Sequence, residues 1–215
     1  MAPDPCTALV PARDFRTAKR RLAAVLGEGA RGGLGRWMLG RVLEALEGAP
    51  GIGRVAVLSD APEVLALAAA RGAAGLPCPA RDLNADLELG RAWARGRGAR
   101  SLLVVPADLP FLRPADIERI LAAGREGDGR GCAVLAPSPD GGTNGLLLRP
   151  AGALPFAFGP ESFSRHWALA EERGLRVLRI ESHGFGLDVD HPADLAALAE
   201  SGAPLPAGLA GAART

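Results

Sequence analysis

The rhythm of apolar runs constrains this chain most. Runs of buried-strand length recur at 8–11, 55–59, 102–106, 133–137, 145–148, 177–180 and 187–189. Helical patterns separate most of them. Leu34, Trp37, Met38, Val42, Ala45 and Leu46 mark one face at helical spacing, and the same period returns over 64–70, 87–94 and 117–121. A strand with no polar alternation has both faces covered, so strands alternating with helices predict a mainly parallel sheet flanked by helices. After Cys132 the strands come closer together with fewer helices, which predicts a mixed sheet or a small insertion closing over the first half. At 215 residues one core suffices. A single domain over 1–201 is expected, with the Gly-, Ala- and Pro-rich segment 202–215 as a flexible tail.

Composition excludes several functions. A formal net charge of +1, with 48% hydrophobic and 23% charged residues, gives no global field for nucleic acid, so any anion site must be local. No apolar stretch is long enough for a membrane span and no basic-then-apolar leader stands at the start, so a cytoplasmic protein is expected. Cys6, Cys78 and Cys132 are odd in number and lie far apart in or near apolar segments, as expected of buried reduced thiols. His166, His183 and His191 lack zinc spacing, and surface or capping roles are expected.

In an open sheet of this kind ligands bind at the carboxyl ends of strands, which ranks the polar residues. Just after the first strand, VPARDFRTAKRRL carries Arg13, Arg16, Lys19, Arg20 and Arg21 against one acid, Asp14. Lys19 is the only lysine of an arginine-rich chain, which singles it out within this basic cluster. A charge run alone is usually a solvated face, but its place after strand one points to a polyanion site. In LLVVPADLPFL a strand delivers Asp108 to its carboxyl end between Pro106 and Pro110, as a helix cap or as a ligand for a hard cation. In GLDVDHPADL, Asp188 and Asp190 alternate on an expected short strand, and Asp190 could equally cap the helix that His-Pro begins. A second carboxylate at the sheet end of Asp108 would complete a cation site. In PDGGTNGLLLRP the paired glycines allow close approach to the main chain and Thr143 offers a hydroxyl and an amide; a plain hairpin turn is the alternative. FGPESFSRH reads as a helix start, with Pro160 in the first turn and free amides that attract anions. Ser162 and His166 are four residues apart on that helix, but no third group orients them as a hydrolase triad.

These motifs, in this order, resemble the 2-phospho-L-lactate and phosphoenolpyruvate guanylyltransferase family of deazaflavin coenzyme F-420 biosynthesis. The resemblance runs from about residue 9 to 195. GGTNGLLLRP and FGPESFSRH are its most specific pieces; AKRRL, LNADL, PADLPFL and LDVDHPADL are shared more widely. It implies a three-layer Rossmann-like, glycosyltransferase-A-like α/β fold. It further implies Mg²⁺ on Asp108, Asp188 and Asp190, the phosphorylated acid at Thr143, Gly159 and Ser162, and GTP at Arg13, Lys19, Arg21 and Pro106. Lys19, Arg21 and Asp108 are the expected catalytic set. Asn84, opening a helix after a third strand, is assigned to the nucleobase. The chain departs from the family pattern at Arg13, where lysine is usual, and at Glu161, where a small residue is common. The expected reaction is transfer of GMP from GTP to phosphoenolpyruvate, 2-phospho-L-lactate or 3-phosphoglycerate, releasing pyrophosphate. A sugar-nucleotide or molybdopterin nucleotidyltransferase, a glycosyltransferase and a non-catalytic GTP-binding regulator are the alternatives.

Overall fold

The computed structural model describes residues 5–79, 82–126, 131–201, 203 and 205–206. Seven strands form one sheet: β1 Cys6–Pro11, β2 Ile52–Ser59, β3 Ala74–Pro77, β4 Leu102–Val104, β5 Cys132–Pro137, β6 Thr143–Arg149 and β7 Arg176–Arg179. Their spatial order is β3-β2-β1-β4-β6-β5-β7. Of the described strands, β6 alone runs against the rest, pairing antiparallel with both β4 and β5. The sheet is therefore mixed and mainly parallel, as the change of rhythm after Cys132 requires.

Both faces are buried, and the side chains of each strand sort by parity. Val10, Val57, Leu103, Val134 and Leu147 join one apolar cluster with the helices α1 (Glu28–Glu47), α2 (Pro62–Ala70) and α4 (Pro114–Ala123). Their neighbours Leu9, Leu58, Val104, Leu135 and Leu146 join the other, with α3 (Leu83–Arg95) and α5 (Ser162–Glu172). This two-sided burial is why the strands read as unbroken apolar runs. Gly90 lets α3 lie close on β1 and β2, since a Cβ there would stand 2.9 Å from Leu58 Cδ2 and 3.1 Å from Leu9 Cδ1. A third cluster unites Leu22 of a short 3-10 helix, Leu34 and Met38 of α1, Val189, and Leu195 and Leu198 of α6 (Pro192–Glu200). Ala203 and Leu205 pack against it. Most of the expected tail lies outside the described residues.

Two expectations need correction. Residues 187–189 form no strand; they run without a ladder partner, and the apolar signal there is Val189, fully buried in the third cluster between two acids. Strand β4 stops at Val104, before Pro106, which has no N–H to offer a ladder. The three cysteines are free and buried, as expected.

Candidate active site

The sheet's carboxyl ends floor a cleft of about 490 Å³, with Pro11 at the end of β1, Leu58 in β2 and Pro106 beyond β4. Leu83 and Asp86 of α3 line it, as do Phe158 and the basic loop carrying Arg13, Lys19, Arg20 and Arg21. Asp86 escaped the sequence reading because an acid in a helix's first turn needs no ligand to explain it. Arg16 turns the other way, pairing with Asp14 at 2.7 Å with its side chain 71% exposed.

Lys19 organises one end. Its backbone is left-handed, at φ 54° and ψ 41°, a conformation that costs roughly 1–2 kcal/mol outside glycine. The ion pairs hold it there: Nζ lies 2.5 Å from Asp108 Oδ2 and 2.6 Å from Asp190 Oδ1, with only 8% of the side chain exposed. Burial alone would lower the Lys19 pKa, but the two carboxylates outweigh it and raise the pKa, so the ammonium stays charged. Arg21 Nη1 reaches Asp190 Oδ2 at 3.4 Å and His191 Nε2 at 3.3 Å. Asp190 is no helix cap. The N-cap is His191, in a capping box with Asp194, whose Oδ2 accepts the N–H groups of Asp190 and His191 at 3.0 and 2.7 Å. The Asp190 carboxylate is thus left to face Lys19.

Asp188 belongs to the same electrostatic group. Its pKa is raised by burial first and then by the charges of Asp108 and Asp190, with a hydrogen bond from Asn144 opposing. Among the described residues no three His, Cys, Asp or Glu side chains converge as a metal-binding set; Asp108 and Asp190 converge on the Lys19 ammonium instead. The donor chemistry nonetheless suits a hard cation. Two carboxylate oxygens already embrace one positive charge, and Mg²⁺ needs only one or two carboxylates beside phosphate oxygens and water.

A second polar cluster, whose residues do not line the cleft, is neutral. Thr143 Oγ1 lies 3.0 Å from Ser162 Oγ and 3.2 Å from His166 Nδ1, and all three residues are buried. The Ala157 N–H donates to His166 Nε2 at 3.0 Å, which leaves the ring proton of neutral His166 on Nδ1, facing Thr143. Burial first, then Arg165, pushes the His166 pKa down to about 4. The expected surface role for His166 is therefore overturned.

A bulge aims Thr143. Pairing runs regularly to Ala136 with Gly145 and then slips to Pro137 with Thr143, so Asn144 is an extra residue in β6. Regular pleating would send Asn144 toward the α3–α5 face and Thr143 away from it. The slip reverses both: Thr143 meets α5, while Asn144 Nδ2 donates to the Phe185 carbonyl at 2.8 Å, on the path to Asp188. Gly145 is small because the Phe185 ring lies over it, 2.9 Å from where a Cβ would be.

The start of α5 also differs from expectation. Pro160 precedes the helix, whose N-cap is Glu161 in left-handed geometry at φ 53°. The Ser162 N–H donates to Gly159 O at 3.1 Å and the Phe163 N–H to Gly141 O at 3.2 Å, so two amides expected to be free are engaged. The Glu161 carboxylate covers Gly141, which has φ 83°. Asn84 does not line the cleft; its carboxamide is bonded to the Phe158 backbone.

A family model described as guanylyl transferase CofC like matches residues 6–203. The chain belongs to that family. Phosphoenolpyruvate guanylyltransferase of Rubrobacter xylanophilus is 50% identical over 196 residues, spanning 91% of this chain and 94% of the relative. The enzyme of the same name from Sphaerobacter thermophilus is 44% identical, spanning 89% and 91%. Among solved structures, a Desulfovibrio desulfuricans protein assigned as a nucleotide-diphospho-sugar transferase superposes with TM-score 0.79 at 17% identity, covering 98% of this chain and 94% of that one. A nucleotidyl transferase from Methanothermobacter gives 0.64 at 19%, covering 90% and 95%. Glucosyl-3-phosphoglycerate synthase from Mycobacterium tuberculosis, bound to Mn²⁺ and uridine diphosphate, gives 0.57 at 12%, covering 83% and 70%. These structures establish the glycosyltransferase-A-like nucleotidyltransferase fold, and the family makes the chain a nucleotidyltransferase of the guanylyltransferase kind. No helix among the described residues is long and apolar enough to cross a membrane.

Proposed function

We propose that this enzyme transfers GMP from GTP to the phosphate of phosphoenolpyruvate, releasing pyrophosphate, as a cytoplasmic step of coenzyme F-420 biosynthesis. The observation that carries this reading is the meeting of Lys19 with Asp108 and Asp190 beside a cleft lined by further arginines. Opposite charges brought together at strand ends suit a magnesium triphosphate, and the names of the relatives favour guanine and the three-carbon acid.

The chemistry asks little of a base. An acceptor phosphate with a second pKa of about 6 is largely dianionic at neutral pH, so it can attack the α-phosphorus of GTP unaided. Positioning and charge neutralisation are then the protein's main tasks. Lys19 and Arg21 stabilise negative charge on the departing pyrophosphate, helped by Arg13 along the triphosphate. Asp108, Asp190 and Asp188 would hold Mg²⁺, which when bound neutralises phosphate charge and polarises the phosphorus centre. Pro106 floors the nucleotide site. Thr143, Ser162 and the backbone at Gly159 receive the acid, with Thr143 oriented by His166.

A pyrophosphate-release assay crossing the four nucleoside triphosphates with phosphoenolpyruvate, 2-phospho-L-lactate and 3-phosphoglycerate tests the reading. Release is expected with GTP and phosphoenolpyruvate. GTP binding without release for any acid would show a regulator, and a different productive pair would reassign the substrates.

A further inference from the structure

Helix α3 reaches both halves of the site through different faces of its first turn. Leu83 and Asp86, three residues apart, line the cleft. Asn84 is rotated by about 100° from Leu83 and points elsewhere. Its Oδ1 accepts the Phe158 N–H at 2.7 Å and its Nδ2 donates to the Phe158 carbonyl at 3.1 Å. One carboxamide thus pairs both backbone groups of one residue 74 positions away, as a neighbouring strand would.

Phe158 is the hinge between the two ends. Its ring lines the cleft and meets the His166 ring edge-on, with centroids 4.8 Å apart. The next residue is Gly159, at φ 130°, followed by the turn into α5 and Ser162. Whatever fixes the Phe158 backbone therefore fixes the acceptor cluster relative to the nucleotide cleft. In-line transfer demands reacting atoms about 3–3.5 Å apart, and a misplacement of about 1 Å can cost a hundredfold in rate.

We infer that Asn84 is a positioning residue, which ties the Phe158–Gly159 backbone to α3 and so sets the acceptor cluster against the nucleotide cleft, rather than a reader of the nucleobase. The inference rests on the proposed assignment of those two regions to acceptor and nucleotide. It requires Asn84 to act on the acceptor through Phe158, and it leaves recognition of the base to cleft-lining groups.

Two measurements on Asn84→Ala and Asn84→Asp test it. The aspartate keeps an acceptor for the Phe158 amide but turns an anion toward the Phe158 carbonyl, so both variants should weaken the tie. Hydrogen exchange, which needs no turnover, should show protection of the Phe158 amide falling at least tenfold, while strand β1 stays protected as in the parent. Unchanged protection at Phe158 in both variants would overturn the tie. Kinetics with GTP and phosphoenolpyruvate should show the acceptor KM rising about tenfold or more and kcat falling. The Kd of magnesium GTP, measured by calorimetry without acceptor, should stay within twofold, as should the preference for GTP over ATP. A larger shift in GTP affinity or base preference, with or without an acceptor effect, would make Asn84 a base reader and overturn the inference. Should the parent enzyme turn over none of the acids, the proposed function fails, while the exchange experiment still decides the tie.

Discussion

The charged cleft and the neutral Thr143 cluster are built from opposite materials. At one, Lys19, Arg21, Asp108 and Asp190 are charged, and the carboxylates remain part-exposed, with 28% and 38% of their side chains accessible. At the other, Thr143, Ser162 and His166 are uncharged, buried and joined by hydrogen bonds of 3.0–3.2 Å. The contrast fits the roles proposed for each. Charge that develops during transfer needs fixed charges to meet it, whereas orienting a small acid needs donors whose directions cannot wander.

The largest effect should come from the charged end. Asp108→Asn removes a carboxylate from the pair facing Lys19 and is expected to lower pyrophosphate release by roughly a thousandfold with the far-ultraviolet circular dichroism unchanged. Near-normal turnover would remove Asp108 from the chemistry. Lys19→Met should cost about a hundredfold to a thousandfold in kcat, and its loss should not be recovered by excess acceptor.

The neutral end should respond through stability and KM. His166 stays uncharged in the fold until about pH 4, because burial opposes its proton, whereas in the unfolded chain it protonates near 6.5. Its contribution is present above pH 6.5 and is lost as pH falls from there through about 4. The upper bound is about 3 kcal/mol. Denaturant unfolding of the parent and His166→Asn across this range should show the steeper acid loss in the parent; equal slopes would mean that His166 is not buried neutral. Thr143→Val, which removes one hydroxyl from the cluster, should raise the acceptor KM about five- to tenfold and leave the affinity for GTP alone. The smallest effect belongs to Arg16→Ala. Its guanidinium turns toward Asp14 and solvent, so steady-state constants should move by less than about twofold at 0.15 M salt.

Much of this was legible in the sequence, for identifiable reasons. Unbroken apolar runs reported strands covered on both sides, and the position of Lys19 and Asp108 after two of them placed both at the same sheet end. Val189 misled, because an apolar residue between two acids has strand periodicity whether or not a ladder partner exists. His166 was missed since nothing local distinguishes a histidine facing solvent from one facing a strand; only the partners Thr143 and Ala157 do. Asn84 was assigned to the nucleobase through the resemblance, but its carboxamide partner lies 74 residues away, beyond any local pattern. The direction of Thr143 was unreadable for a related reason. A bulge is a property of two strands in register, and β6 alone carries no sign of it.

That extra residue makes β6 out of phase with itself. Upstream of Gly145 the strand counts its faces one way, downstream the other, and this single change of parity is what lets adjacent positions serve chambers on opposite sides of a sheet. Deleting Asn144 would restore regular pleating with Thr143 still turned toward α5, but it would strip the acidic segment of its amide tether. The extra position thus serves the face that carries Phe185, so loss of the Asn144 carboxamide should be felt at the acidic segment rather than at α5.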